Sequence, residues 1–193
     1  GVRLLWNSPV TALERGVLKA GGATVCSRYI VGADGGNSSV RRWSGLDARV
    51  SEGLRFGFRR HYRVKRWTDH VEVHWSSGCQ IYVTPVGPDV VCVASLARVP
   101  DLRLDQALPR FPDLQRRLHG AEAVSTERGA VSASRRLRRV TKGNVALIGD
   151  ASGSVDAVTG EGMCLAFRQA AALADALAAD RLDGYQAAHE RIR

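Results

Sequence analysis

The sequence predicts an α/β (α+β) chain in which an antiparallel β-rich lobe is inserted between two parts of another domain. Three observations carry this. Val145 to Ile148 is a short apolar run, the mark of a strand buried on both faces, and it leads through Gly149-Asp150 into an Ala/Leu-rich helix. Tyr29 to Val31 leads in the same way through Gly32-Ala-Asp34-Gly35 into a short helix. Between them lie four runs rich in β-branched and aromatic residues, separated by turn signals. The resulting boundaries are 1–48 for the first part, 49–136 for the lobe, and 137–193 for the second part and the start of a C-terminal helix.

Taken in order, the first part reads as short strands at Val2 to Leu5, Val10 to Arg15, Val17 to Lys19, Ala23 to Ser27 and Tyr29 to Val31, punctuated by Gly16 and Gly21-Gly22. Asn37 or Ser38, both suited to an N-cap, opens the helix that follows. In the lobe the strands are Phe56 to Val64, Val71 to Trp75, Gln80 to Thr84 and Val90 to Ala97. Val71, Val73 and Trp75 share one face, with Glu72 and His74 on the other. Leu104 to His119 is helical, interrupted near Pro109 and Pro112. The last helix runs from Gly162 to Ala179, where Met163 and Phe167 fall at helical spacing with Ala166, Ala170 and Leu173 and read as core packing.

Composition is that of an ordinary globular protein, 45% hydrophobic and 24% charged in 193 residues. No run approaches the ~18 consecutive apolar residues of a membrane span. No secretory signal is visible either, and a cytoplasmic setting is expected. Gly1 and Arg193 read as cuts within a longer protein. The formal charge of +9 rests almost wholly on arginine, scattered in short groups such as Arg41-Arg42 and Arg135-Arg136. Without a long basic run or aromatic interleaving, nucleic acid is not the expected partner. The four cysteines, Cys26, Cys79, Cys92 and Cys164, show no C-x-x-C pair and read as buried free thiols. His70 and His74 lie in a strand pattern rather than on a helix, so no metal site is expected.

The chemistry concentrates at Gly149 to Gly162. A carboxylate at the carboxyl end of a buried strand is placed to accept hydroxyl hydrogen bonds, at the end of an α/β sheet where ligands bind. The glycine-rich helix start at Gly160-Glu161-Gly162 offers backbone N–H groups and a dipole that stabilise negative charge.

The pair Gly32-Ala-Asp34-Gly35 with Ser39-Val40-Arg41, followed by Gly149-Asp150-Ala-Ser with Thr159-Gly-Glu-Gly162, resembles FAD-dependent monooxygenases and geranylgeranyl-reductase-like oxidoreductases of the aromatic-hydroxylase fold. The resemblance covers essentially the whole chain and implies an FAD-binding, Rossmann-like domain with an inserted substrate lobe. It implies that Asp150 accepts a ribityl or ribose hydroxyl of FAD. Asp34 would lie near the pyrophosphate, in a motif linked in that family to NAD(P)H use, and would orient backbone N–H groups or Arg41. Gly160, Glu161 and Gly162 would lie beside the flavin ring. Gly35, Arg41, Gly149, Thr159 and Met163 complete the implied cofactor-binding set.

The implied activity is a monooxygenase acting on an apolar small molecule, with NAD(P)H as reductant. Ser152-Gly153 and Ala157-Val158 depart from the hydroxylase pattern, and Thr159-Gly-Glu-Gly162 is closer to the reductase branch. Double-bond reduction is therefore the alternative, and a non-catalytic, truncated flavin-fold module a third reading. His61, Tyr62, His74 and Tyr82 lie on the lobe; ordinary strand roles are expected for each, so no catalytic residue is assigned. The family's G-x-G-x-x-G turn does not occur in these residues. The strand at Val145 to Ile148 is consequently expected to present an unpaired edge, and the chain to hold FAD weakly and to be inactive by itself. The sequence leaves substrate and oligomeric state open.

Overall fold

A computed structural model describes residues 1–14, 16–47 and 51–192, with backbone alone at Ser51 and Glu52. In chain order the elements begin with β1 (Val10–Glu14), β2 (Val17–Ala20), β3 (Ala23–Cys26), β4 (Ile30–Gly32) and α1 (Ser39–Trp43). The central stretch holds β5 (Ser51–Arg63), β6 (Glu72–Ser76), β7 (Cys79–Pro85), β8 (Val90–Ala97), α2 (Leu104–Ala107), α3 (Pro112–Arg117), β9 (Glu122–Ala123) and β10 (Arg128–Arg135). The chain ends with β11 (Thr141–Lys142), β12 (Val145–Leu147), α4 (Gly162–Ala178) and α5 (Leu182–Ile192). The fold is α+β, with three sheets, one of them mixed. It divides into two compact units, Gly1–Glu52 with Ser134–Arg193, and Gly53–Ala133.

In the first unit, β1, β2 and β3 form an antiparallel meander, with Gly21-Gly22 as the two-residue turn joining β2 to β3. A second sheet has the order β11-β12-β4, in which β12 is antiparallel to β11 and parallel to β4. This corrects one expectation. The strand after Gly143 is not an edge: it lies between two neighbours, and among the described residues β4 ends the sheet. Val145, Ala146 and Leu147 are all buried, as their unbroken apolar run requires. Around them Ile30, Val40, Leu137, Val140, Leu173, Ala176 and Tyr185 close one core.

The second unit is built on a six-stranded sheet with the path β10-β5-β8-β7-β6 and β9 paired to β5; β9, β5, β8, β7 and β6 pair antiparallel. Ile81, Val83, Val91 and Val93 bury one face against Leu104, Ala107, Phe111 and Leu114. The helical stretch from Leu104 is interrupted as expected, into α2 and α3 with a 3₁₀ turn over Leu108–Arg110 between them, because Pro109 and Pro112 cannot donate to a continuous ladder. On β6 the polar side faces inward. Trp67 donates its indole N–H to Glu72 at 3.0 Å and His74 meets Phe111 edge-on, while Val71, Val73 and Trp75 are exposed.

Other sequence expectations fail for identifiable reasons. Val2 to Leu5 is not a strand; it finds no ladder partner among the described residues and its apolar side chains are exposed. Arg15 lies outside the described residues, so the last position of the expected Val10 to Arg15 strand is not described. The cysteines are all free, but only Cys79 is buried; Cys26 and Cys164 are exposed. Met163 and Phe167 are not core residues. They are 76% and 75% exposed, because α4 buries a different stripe made of Gln169, Leu173 and Ala176. Among the described residues no helix is long and apolar enough to cross a membrane, and no group of three or more His, Cys, Asp or Glu is placed to hold a metal ion.

Candidate functional site

Both Gly-rich motifs lie at the same end of the parallel pair β4 and β12. Gly32 closes β4 and pairs with Leu147 of β12, so the loops that follow both strands leave the sheet side by side. There is no room for a side chain at Gly32: a Cβ would stand 2.7 Å from Leu147 Cδ2 and 2.9 Å from Val40 Cγ1.

Asp34 governs the first loop. Its carboxylate accepts the N–H groups of Ser39 at 2.7 Å and Val40 at 3.1 Å, together with the Ser38 hydroxyl. Ser38 in turn N-caps α1 by accepting the Arg41 N–H at 2.9 Å. Partial burial alone would raise the Asp34 pKa, but the Ser38 hydroxyl and the surrounding backbone N–H groups hold it below the ordinary aspartate value. Asp34 thus orients the backbone N–H groups of α1 and reaches past Gly36.

Arg41 ties the two loops together. Its guanidinium is 1% exposed and donates to the carbonyls of Gly36 at 2.6 Å and Ala151 at 3.1 Å, and to Asp47 at 2.9 Å. Arg135 donates to the same Gly36 carbonyl at 2.9 Å. These arginines hold backbone rather than offering a free cation.

The second loop begins at Gly149, whose φ of +57° lies in the left-handed region. A Cβ there would meet only Ala166 Cβ, at an ordinary 3.6 Å, so backbone conformation rather than space favours glycine. A 3₁₀ turn over Gly149–Ser152 follows. The Asp150 side chain is exposed, and its carboxylate takes no hydrogen bond or ion pair among the described residues. Asp156 caps a further 3₁₀ turn over Ala157–Thr159, and the Thr159 hydroxyl accepts the Glu161 N–H at 3.4 Å. Helix α4 then starts at Gly162 with no side-chain cap. Its first N–H groups therefore lack an internal partner.

A cleft of about 380 Å³ is lined by Ala33, Gly35, Ile148, Gly149, Asp150, Gly162, Met163 and Ala166. The structure thereby brings Gly35, Gly149, Asp150, Gly162 and Met163 together in one place. Asp34 and Arg41 are not part of the lining; they brace the loops that carry it. Thr159, Gly160 and Glu161 are exposed on the approach to α4 and are not part of the lining. On the other unit, His61 contacts Ser125 through Nδ1 at 3.1 Å, Tyr62 is buried, and His74 lies 3.2 Å from Glu72. Tyr82 is half-buried, on the face opposite Ile81 and Val83.

Sequence reasoning missed the polar residues beneath the corner: Gln169 of α4, and Tyr185 and His189 of α5, all buried. The signal was present. Gln169 falls at the i−4 position from Leu173 on the buried stripe, and Tyr185 and His189 are themselves i, i+4.

Comparison with known proteins decides the family. The model of the FAD binding domain matches residues 7–190. The chain belongs to the FAD binding domain family. No curated protein matches it. Among solved structures, the flavin-dependent halogenase CmlS superposes with a TM-score of 0.80 at 19% identity, over 96% of this chain and 38% of that one. The flavin-dependent brominase Bmp2 gives 0.78 at 21% identity, over 96% and 54%. PqsL, a probable FAD-dependent monooxygenase from Pseudomonas aeruginosa, gives 0.67 at 27% identity, over 93% and 57%. The chain therefore spans 38–57% of the length of these structures.

The residues present in this FAD binding domain suit the cofactor its family name implies. The cleft offers an unengaged carboxylate for hydroxyl groups and the start of a 17-residue helix for an electron-rich ring edge. At Gly35 and Gly162 a Cβ would meet nothing within 4 Å, so both flank open space.

Proposed function

We propose that this FAD binding domain belongs to an FAD-dependent monooxygenase acting on an apolar organic small molecule, with NAD(P)H as reductant. The observation that carries the reading is the cleft at the ends of β4 and β12, where the free Asp150 carboxylate stands beside the uncapped start of α4. Asp150 holds a hydroxyl of the FAD chain. Gly35, Gly149 and Gly162 let the cofactor approach the backbone, and Met163 and Ala166 give it apolar contact. The N–H groups at the start of α4 favour negative charge on the neighbouring ring. FAD when bound supplies two-electron redox chemistry. Arg41 and Asp34 keep the two loops in register, and the parallel pair β4 and β12 serves as part of a Rossmann-like sheet. The six-stranded unit serves as the substrate lobe. Because no G-x-G-x-x-G turn occurs in this sequence, FAD is held weakly by these residues alone.

A second reading, reduction of a carbon–carbon double bond, is favoured by one feature, the Thr159-Gly-Glu-Gly162 helix start, which resembles the reductase branch. Anaerobic reduction of the flavin-loaded protein, followed by oxygen and mass analysis of the product, separates the two. Gain of one oxygen atom that requires O₂ supports the monooxygenase. Gain of two hydrogens without O₂ overturns it in favour of the reductase, and replacement of hydrogen by halide in the presence of halide salts overturns both.

A further inference from the structure

We propose that Gln169 of α4 and, through Ser152, His189 of α5 are positioning residues that hold the backbone N–H and carbonyl of Gly149 and so aim Asp150 into the cleft. This rests on the reading of that cleft as the flavin site.

The geometry is specific. The Gly149 N–H donates to Gln169 Oε1 at 2.8 Å. The Gly149 carbonyl lies 2.8 Å from Ser152 Oγ, and Ser152 Oγ lies 2.9 Å from His189 Nε2. Ser152, Gln169 and His189 are 2%, 5% and 5% exposed, so solvent cannot substitute for any of these contacts.

Proton accounting then fixes the direction of the chain. A serine hydroxyl has one proton to give. Two oxygens 2.8 Å apart repel unless a proton lies between them, so Ser152 donates to the Gly149 carbonyl. The longer 3.2 Å contact from Ser152 to Gln169 Oε1 is secondary. His189 must therefore donate from Nε2, and the relay runs from the His189 N–H to the Ser152 hydroxyl to the Gly149 carbonyl. Helix α5 is itself anchored on the same strand, since Tyr185 donates to the Leu147 carbonyl at 2.8 Å and meets His189 edge-on at 5.8 Å.

The convergence is informative. Three buried side chains from a loop and two helices serve one glycine, which lies in the left-handed region immediately before Asp150. Generic satisfaction of a core would distribute such contacts over many peptide groups. Here the rotation of Gly149 sets the direction of the Asp150 side chain, and both ends of that residue are held.

The test uses the full 193-residue chain and three readouts: ¹⁵N NMR of the His189 ring, hydrogen exchange of the Gly149 amide, and FAD titration by flavin fluorescence. The unsubstituted chain should show an Nε2–H imidazole and a protected Gly149 amide. Gln169→Leu and His189→Leu should speed Gly149 exchange and raise the FAD dissociation constant by about tenfold each. His189→Gln carries an N–H in nearly the same place, and it should recover most of the affinity lost in His189→Leu. Ser152→Ala, a smaller perturbation, should act in the same direction if a leucine variant fails to fold.

A folded His189→Leu, Gln169→Leu or Ser152→Ala chain with unchanged FAD affinity overturns the proposal alone. So does His189→Gln behaving like His189→Leu. If the unsubstituted chain shows no saturable FAD binding while its Gly149 exchange still depends on His189 and Gln169, the flavin reading fails and the proposal falls with it.

Discussion

Replacing Arg41 by methionine tests whether the two motif loops form one braced unit. Methionine roughly fills the volume of the arginine stem, so the change removes hydrogen bonds more than packing. The Ala151 carbonyl is the main casualty, because Ala151 is 0% exposed and loses its 3.1 Å partner. Orphaning a buried acceptor costs about 1–3 kcal/mol. The Gly36 carbonyl loses little, since Gly36 is exposed and keeps Arg135 at 2.9 Å. The ion pair with Asp47 contributes at most about 1 kcal/mol, because the Asp47 side chain is 50% exposed. The sum is about 1–4 kcal/mol. For a chain of this size that corresponds to a melting-temperature drop of about 2–16 °C. Urea denaturation and thermal melts followed by circular dichroism measure it. Asp47→Asn serves as the control and should stay within about 1 kcal/mol of the parent chain. An Arg41→Met chain within about 1 kcal/mol of the parent would refute the bracing argument.

Two further predictions concern the same loops. Gly32→Ala should destabilise by about 1–3 kcal/mol, because its Cβ would press on the buried side chains of Leu147 and Val40; a neutral result in the same denaturation assay would show that the β4–β12 packing is looser than these distances. Asp34 has a folded-state pKa below its ordinary value of 3.8, so its charged form stabilises the fold. That contribution is fully present above the ordinary value and is lost as pH falls through the lowered one. Asp34→Asn should therefore be less stable than the parent at neutral pH, with the gap closing in acid. A gap that is constant with pH, or that widens in acid, contradicts the hydrogen-bonding account of Asp34.

Local chemistry made much of this legible in the sequence. The apolar run at Val145, the turn at Gly21-Gly22, the N-cap at Ser38 and the proline breaks near Pro109 and Pro112 each follow from side chain and backbone alone. What depends on distant pairing was not visible. β10 (Arg128–Arg135) is built from small and polar residues without apolar alternation, and it is a strand because β5 offers it a ladder. Met163 and Phe167 show the converse: helical spacing marked them as core, but the stripe actually buried runs through Gln169, Leu173 and Ala176. At the site, Asp34, Gly149 and Asp150 stood out through motif chemistry. Gln169 and His189 did not, because a polar residue on a buried stripe reveals its partner only when the strand beneath it is in place.

The central claim is that the Gly149-Asp150 corner holds FAD, and titration of the chain with FAD tests it most directly. Flavin fluorescence should report saturable binding that is readily reversed by dialysis. Asp150→Asn should weaken that binding by about tenfold, as expected for loss of a charge-assisted hydrogen bond. No saturable binding, or an affinity indifferent to Asp150, would contradict the account.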